Sequence, residues 1–258
     1  MLGALLLALA AQSAAAPADD LCTDRPGLET GTCIVPAGVI QVETSLVDWT
    51  NDRSDGVRTR QWSVGTTAVR FGLGSASEVQ LGWTPWVRET ARGAGAHNSA
   101  GGFGDALLVY KTRFTRADAP LAVALMPFVK LPLAPRPLGN RRVEGGVVAP
   151  IDVALAENST LTLSPEANWN SDEDRNGHHL GLAGAVALGL ELSDRLSAGL
   201  TVWGQRNRDP AGTVDQAVAG LSLAWLVRPK LQFDVEADAG ISGAAPDLEL
   251  IVGISIRR

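Results

Sequence analysis

Beyond Ala16 the chain alternates apolar and polar residues in about a dozen short runs, the period of pleated strands that face two different media. The clearest run is 231–239, where Leu231, Phe233, Val235 and Ala237 alternate with Gln232, Asp234, Glu236 and Asp238. In 78–87, Val79, Leu81, Trp83 and Val87 oppose Glu78, Gln80, Gly82 and Thr84. In 104–114, Ala106, Leu108, Tyr110 and Phe114 face away from Asp105, Lys111 and Arg113. The last run sets Leu248, Leu250, Val252, Ile254 and Ile256 against Glu249, Gly253, Ser255 and Arg257. In 179–191 the leucine-rich face is backed by His179, Ala183, Ala185, Ala187 and Glu191, small and polar residues that suit a narrow lumen. Run 57–72 is the least regular, because neither face is cleanly apolar.

The joins between these runs are alternately long (50–57, 88–102, 133–144, 170–178, 206–213, 241–246) and short (73–77, 115–119, 156–158, 193–195, 227–229). Outer-membrane barrels have brief periplasmic turns and longer extracellular loops, so this rhythm predicts both the fold and its orientation, with both termini periplasmic. A soluble sandwich with one wet face shares the alternation of side chains but has no physical reason to keep the alternation of joins. Trp49, Trp83, Trp86, Trp169, Trp203 and Trp225 fall at or near run ends, where aromatic girdles meet lipid headgroups. The reading is an all-β, antiparallel transmembrane β-barrel of about 12 strands over residues 38–258. Pro85, Pro127, Pro150 and Pro165 lie within strand-like runs and are expected at bulges or strand ends, since each lacks a ladder donor.

Residues 1–15 read as a signal peptide. Leu2 to Ala11 is apolar but far short of the roughly 20 residues that a helical span needs, and Ser13-Ala14-Ala15 offers small residues for cleavage. Residues 16–37 form an N-terminal periplasmic segment that holds both cysteines, Cys22 and Cys33. In an exported chain such a pair is expected to form a disulfide; a metal pair would need His or further Cys nearby in sequence. The segment either folds into the lumen as a plug or lies as a peripheral tail. With Lys+Arg 22 against Asp+Glu 28, a net charge of -6 and no basic patch, nucleic acid is excluded as a partner.

The expected lumen lining is Glu43, Glu78, Asp105, Lys111, Arg113, Lys130, Asp152, Glu166, Glu191, Asp234, Glu236, Asp238 and Glu249. Buried charge must be paired or hydrated. A salt-bridge network filling a closed barrel and a polar channel lining both meet that demand, and a barrel of about 12 strands lies between the filled and open sizes. Clusters of catalytic or metal-ligating residue types are weak. His97-Asn98-Ser99 sits in a Gly-rich stretch read as a solvated loop, where nothing fixes a catalytic geometry. His178-His179 would need metal ligands from elsewhere. Asp172-Glu173-Asp174-Arg175-Asn176-Gly177 matches the first half of a calcium loop, but Ala183 stands where the bidentate Glu belongs. No catalytic residue, metal site or cofactor is assigned, and the chain is not expected to be an enzyme.

Three segments carry a family resemblance. The first is Thr23-Asp24-Arg25-Pro26, followed by Val35-Pro36-Ala37-Gly38 and Gln41-Val42-Glu43. The second is Gly104-Asp105 with Lys111, and the third runs from Ala245-Pro246-Asp247-Leu248 to Gly253-Ile254-Ser255-Ile256-Arg257. Together they resemble a bacterial family of outer-membrane proteins linked to the MetA pathway of phenol degradation. The resemblance implies a passive outer-membrane channel or uptake facilitator for small, aromatic or hydrophobic organic compounds. A non-conducting structural or surface-interaction barrel is the alternative, and a lipid-modifying barrel enzyme stands behind both. The implied location is the Gram-negative outer membrane, with lipid, lipopolysaccharide, the barrel-assembly machinery and small organic solutes as partners. Where family barrels often finish on an aromatic residue, this chain ends Ile256-Arg257-Arg258.

Overall fold

The computed structural model describes residues 21–258 except Ala94 and Arg175, and all regular structure among the described residues is β. The first spanning strand is β1 (Ile40–Ser54). Each of the next three is built from two segments: β2 (Val57–Val64) with β3 (Thr66–Gly72), β4 (Ser77–Trp83) with β5 (Trp86–Gly93), and β6 (Ala96–Gly102) with β7 (Ala106–Arg113). Then come β8 (Leu121–Leu131) and the pair β9 (Glu144–Val148) with β10 (Ile151–Ala156). Six unbroken strands complete the order: β11 (Ser159–Ser171), β12 (His178–Ser193), β13 (Leu196–Asp209), β14 (Gly212–Arg228), β15 (Leu231–Gly240) and β16 (Leu248–Arg257).

All these pairings are antiparallel, and β16 returns to β1 from Gln41↔Arg257 to Asn51↔Leu248, closing a 12-strand barrel. Closure is what a lipid medium demands, because an open edge would leave backbone donors and acceptors without water to satisfy them. Arg257, the last residue of β16, is 6 % exposed and its Nε donates to Gln41 Oε1 at 3.1 Å, so it ties the closing seam from inside.

Burial is inverted relative to a water-soluble protein. Arg70 and Lys111 are fully buried, whereas Leu81 is 54 % and Leu180 56 % exposed. Along β15 the polar set Gln232, Asp234, Glu236 and Asp238 is buried and the apolar set Phe233, Val235, Ala237 and Ala239 is exposed. An apolar outer belt around a polar interior is the signature of a barrel that spans a bilayer. Trp62, Trp83, Trp86, Trp169 and Trp225 are exposed on that outer side, and Trp49 pairs with Trp62 at a ring separation of 6.2 Å. Trp203 departs from the expected girdle. It lies mid-strand opposite buried Ala185, on the inner side of β13, because the parity of Thr201 and Trp203 is inward.

The five short joins, now 73–76, 114–120, 157–158, 194–195 and 229–230, share the end that carries both termini of the barrel. Three of the joins expected to be long are mostly strand instead. Segments 50–57, 88–102 and 206–213 belong to hairpins that run past the rest of the sheet, with only two residues between paired strands in each. Asp55 (φ 51°) and Gly56 (φ 75°) both take positive φ, the turn whose twist matches the flanking strands and lets the ladder continue to its tip. Both faces of such a projecting hairpin are wet, so the apolar/polar contrast that marks a strand is lost. The His97-Asn98-Ser99 stretch is likewise strand β6 rather than loop, with all three residues exposed. The irregular joins that remain are 132–143, 172–177 and 241–247.

A row of irregularities crosses four adjacent strands at one level. β1 bulges between Ser45 and Val47, Gly65 separates β2 from β3, Thr84-Pro85 separates β4 from β5, and Phe103-Gly104-Asp105 separates β6 from β7. Gly65 has φ +76°, and a Cβ there would lie 2.9 Å from the Pro85 ring, so the bend needs glycine. Pro85 and Pro150 thus mark breaks. Pro127 and Pro165 instead lie within strands, at places where a neighbouring ladder is interrupted. The β7–β8 ladder skips from Val109↔Phe128 to Thr112↔Leu125, and Pro165 faces the break between β9 and β10.

Candidate functional site

The polar interior is crossed by residues 21–37, which lead into the first strand and bond to the inner side chains of strands on several sides of the wall. Cys22 and Cys33 form a disulfide with a Cα separation of 5.7 Å, which closes the segment into a loop. Gln41 holds Cys22 through both backbone groups, at 3.3 Å from Cys22 N and 2.6 Å to Cys22 O. Arg70 is the hub. Its guanidinium donates to Glu43 Oε1 (2.7 Å), Glu78 Oε1 (2.8 Å) and the carbonyl of Cys22 (2.8 Å), and lies 3.2 Å from Asp24 Oδ2. Lys111 donates to Asp24 Oδ1 at 2.7 Å.

Further along, Arg25 donates to Ser45 Oγ at 2.5 Å and to Asp234 Oδ1 at 2.8 Å, while Glu236 accepts the amide of Gly27 at 3.0 Å. Thr201 donates to Glu29 at 2.7 Å, Ser164 both accepts from and donates to the backbone of Thr30, and Asp152 accepts from Thr32 N and Oγ1 at 2.7 Å each. Glu78 closes the circuit by accepting Val35 N at 2.5 Å. The segment then leaves through a parallel bridge, Ala37↔Gly72. A Cβ at Gly72 would collide with the carbonyls of Val35 and Pro36, so the close approach of segment to wall depends on that glycine.

Charge on the segment responds to this setting. Burial pushes the Asp24 carboxyl up, but the charges of Arg70 and Lys111 and the hydrogen bonds from Lys111 and Gln80 outweigh it and hold the group below its ordinary value. Glu29 goes the other way: burial raises it, and the hydrogen bond from Thr201 only partly opposes.

The residues expected to line the lumen fall into four groups. Glu43, Glu78, Lys111, Asp152, Asp234 and Glu236 hold the segment. Asp105, Lys130 and Glu144 form a second network near the other mouth: Lys130 lies 3.3 Å from Asp105 and 2.5 Å from Glu144, and Asp105 accepts Ala134 N at 2.8 Å, which ties down the 132–143 join. Asp238 and Glu249 are register partners, and neither oxygen of the buried Asp238 has a partner. Of the rest, Glu166 accepts from Asn168 at 2.6 Å, Arg113 lines a cleft beside the segment, and Glu191, exposed at the turn-end rim of β12, lines a second, smaller one.

Two clefts remain between segment and wall. One, of about 630 Å³, is bounded by Cys22, Ile34, Arg113, Ala122, Asp152 and Arg257; the other, of about 240 Å³, by Arg25, Glu29, Ser159, Gly199, Ser222 and Gln232. Sequence reasoning missed Arg70, left Gln41 and Gln232 out of the lumen lining, and missed every anchor contributed by the segment itself. The alternation of Arg70 with Val69 and Phe71, both 39 % exposed, is a strand signal that the bend at Gly65 hides when 57–72 is read as one run.

Over residues 23–257 the sequence matches the family described as "Putative MetA-pathway of phenol degradation". The COG4313 outer membrane channel from Pseudomonas putida F1 is similar in structure, with a TM-score of 0.71 at 13% identity over 91% of this chain and 99% of that one. The NanC porin is similar with a TM-score of 0.53 at 9% identity over 83% and 98%. At these identities the likeness is one of fold, that of a closed outer-membrane barrel. No curated protein matches the sequence.

Proposed function

This chain belongs to the MetA-pathway family of phenol degradation, and from that premise we propose that it is a passive outer-membrane channel or uptake facilitator for small organic solutes, aromatic ones among them. The observation that carries the reading is the polar interior with two clefts left open beside a segment that crosses it. Residues 21–37 are the plug of this channel, and solutes pass between plug and wall down their own gradient. The interior side chains position the plug and set charge selectivity; none is assigned a catalytic role. Lipid packs against the apolar belt, lipopolysaccharide meets the projecting hairpins, and the export signal 1–15, which lies outside the described residues, delivers the chain to the assembly machinery.

One observation favours the second reading, a non-conducting structural barrel: the plug is bonded to β1, β3, β4, β7, β10, β11, β13 and β15. Ion selectivity separates the two. Asp238 and Glu249 are inner acidic side chains that do not anchor the plug. Asp238→Asn with Glu249→Gln is therefore expected to lower the cation-to-anion permeability ratio in planar bilayers at low salt and alkaline pH, where both native carboxyls are ionised. The expected drop is about tenfold, the lower end of what a like-charged, low-dielectric cleft does to local counter-ion concentration. An unchanged ratio in a conducting, folded variant would show that ions do not pass that row. The absence of any conductance in the folded native protein would favour the structural barrel.

A further inference from the structure

At the mouth opposite the termini, three ligating side chains from separate elements converge. Asp172 leads the 172–177 join, His179 stands at the start of β12, and Asp209 ends β13. Asp172 Oδ1 is 2.8 Å and Asp209 Oδ2 3.5 Å from the same ring nitrogen, His179 Nδ1, and the three ligand atoms lie within 4.8 Å of one another. The half calcium motif does not assemble around them. The Asp174 carboxylate is exposed and accepts from Asn176 N at 2.8 Å and Asn176 Nδ2 at 3.1 Å, so of that motif only Asp172 turns toward His179.

The other ring nitrogen fixes the chemistry. His179 Nε2 lies 2.7 Å from Asn207 Oδ1, which also accepts from Asn170 Nδ2 at 3.0 Å. Asn170 Nδ2 donates to that atom, which marks it as the amide oxygen; an amide oxygen only accepts, so Nε2 carries the hydrogen. A neutral ring then directs the Nδ1 lone pair at two carboxylates. That is repulsive unless a cation, either a proton or a metal ion, sits between them. A proton on Nδ1 makes an imidazolium that pairs with both carboxylates, and Asp209 Oδ2 also accepts Glu173 N at 2.8 Å. A divalent ion takes the same three atoms as ligands; at ordinary bond lengths they stand about 3–3.5 Å apart, so Asp172 Oδ1 moves outward from 2.8 Å while Asp209 Oδ2 keeps its 3.5 Å. A ligating histidine whose far N–H is held by an amide or carboxylate oxygen is the usual outer-shell arrangement of a metal site.

We propose that Asp172, His179 and Asp209 bind one divalent transition-metal ion, Zn²⁺ by the imidazole-plus-carboxylate character of the set, and that this ion clasps the 172–177 join to the β13–β14 hairpin at the barrel mouth. Asn207 is a positioning residue that acts through the ring. The clasp edges a cleft of about 550 Å³ shared with Leu138 and Asn140 of the 132–143 join, so the ion fixes one wall of the entrance.

The test uses untagged, refolded full-length barrel, stripped with EDTA and titrated with Zn²⁺ alone by calorimetry, with bound metal counted after dialysis. Folding of every variant is checked by heat-dependent gel mobility. One Zn²⁺ per chain is expected in the native protein, lost in His179→Gln and Asp209→Asn and retained in His97→Gln. Asn207→Ala is expected to keep the stoichiometry while weakening affinity about 10–100-fold. Absence of saturable binding by the folded native barrel, or binding that Asp209→Asn leaves unchanged, would overturn the proposal. Displacement of Zn²⁺ by equimolar Ca²⁺ would overturn the assigned metal class.

Discussion

Replacing Arg70 by methionine is expected to destabilise the folded barrel by about 3–5 kcal/mol, the cost of stripping a buried ion network of its central partner. Arg70 is fully buried, and its guanidinium neutralises Glu43, Glu78 and Asp24 while also capping the carbonyls of Cys22 and Cys33. Methionine fills much of the same volume and removes only the charge and the donors. The three carboxylates then share Lys111 alone, whose amine reaches Asp24 at 2.7 Å. Urea unfolding of the refolded protein in detergent micelles, followed by tryptophan fluorescence, reads the loss. Glu43→Gln with Glu78→Gln in the same chain should restore most of it, because the amides no longer need a counter-charge. A loss below about 1 kcal/mol, the range of a surface pair, would mean that the hub contributes little to stability.

Removing residues 21–36 from the exported chain is expected to raise single-channel conductance several-fold. The segment occupies the space between opposite walls: Arg25 reaches Asp234, Gly27 reaches Glu236, Thr30 reaches Ser164 and Thr32 reaches Asp152. The barrel itself closes without it, through the β1–β16 ladder. The freed carboxylates would face water instead of going unpaired in a dry interior, so the truncated chain should still fold. Planar-bilayer recordings of native and truncated protein at equal salt make the comparison. Equal conductance would place the ion path somewhere other than the space the segment fills.

The legible parts of this fold are those where lipid and lumen impose opposite chemistry on alternate residues. β15 is read correctly residue by residue because Phe233, Val235 and Ala237 meet lipid while Asp234, Glu236 and Asp238 meet the interior. The same logic fails at the β1–β2 and β5–β6 hairpins, which have water on both sides, and at β3, where a bend resets the period. Trp203 shows that an aromatic residue near a run end is a weak guide when its parity is inward. The interior site was half legible. The wall carboxylates follow from alternation, but their partners do not. Nothing in the spacing of Asp24, Arg25 and Gly27 tells which strand each will meet, since those contacts join residues far apart in sequence, 209 positions for Arg25 and Asp234. The Thr23-Asp24-Arg25-Pro26 motif that carries the family resemblance is, in the folded chain, the run that supplies two of these anchors. The mouth cluster was missed for a related reason: His179 was visible, but Asp209 arrives from a hairpin tip read as loop.

The central claim is passive conduction past an internal plug, and solute flux into liposomes carrying the refolded native protein tests it most directly. Salt ions, a neutral sugar and a small aromatic acid should be compared with empty liposomes. The account predicts flux above the empty control for ions and for the aromatic acid, rising in the chain truncated to residue 37. No flux of any solute through native and truncated barrels that are both demonstrably folded would contradict it.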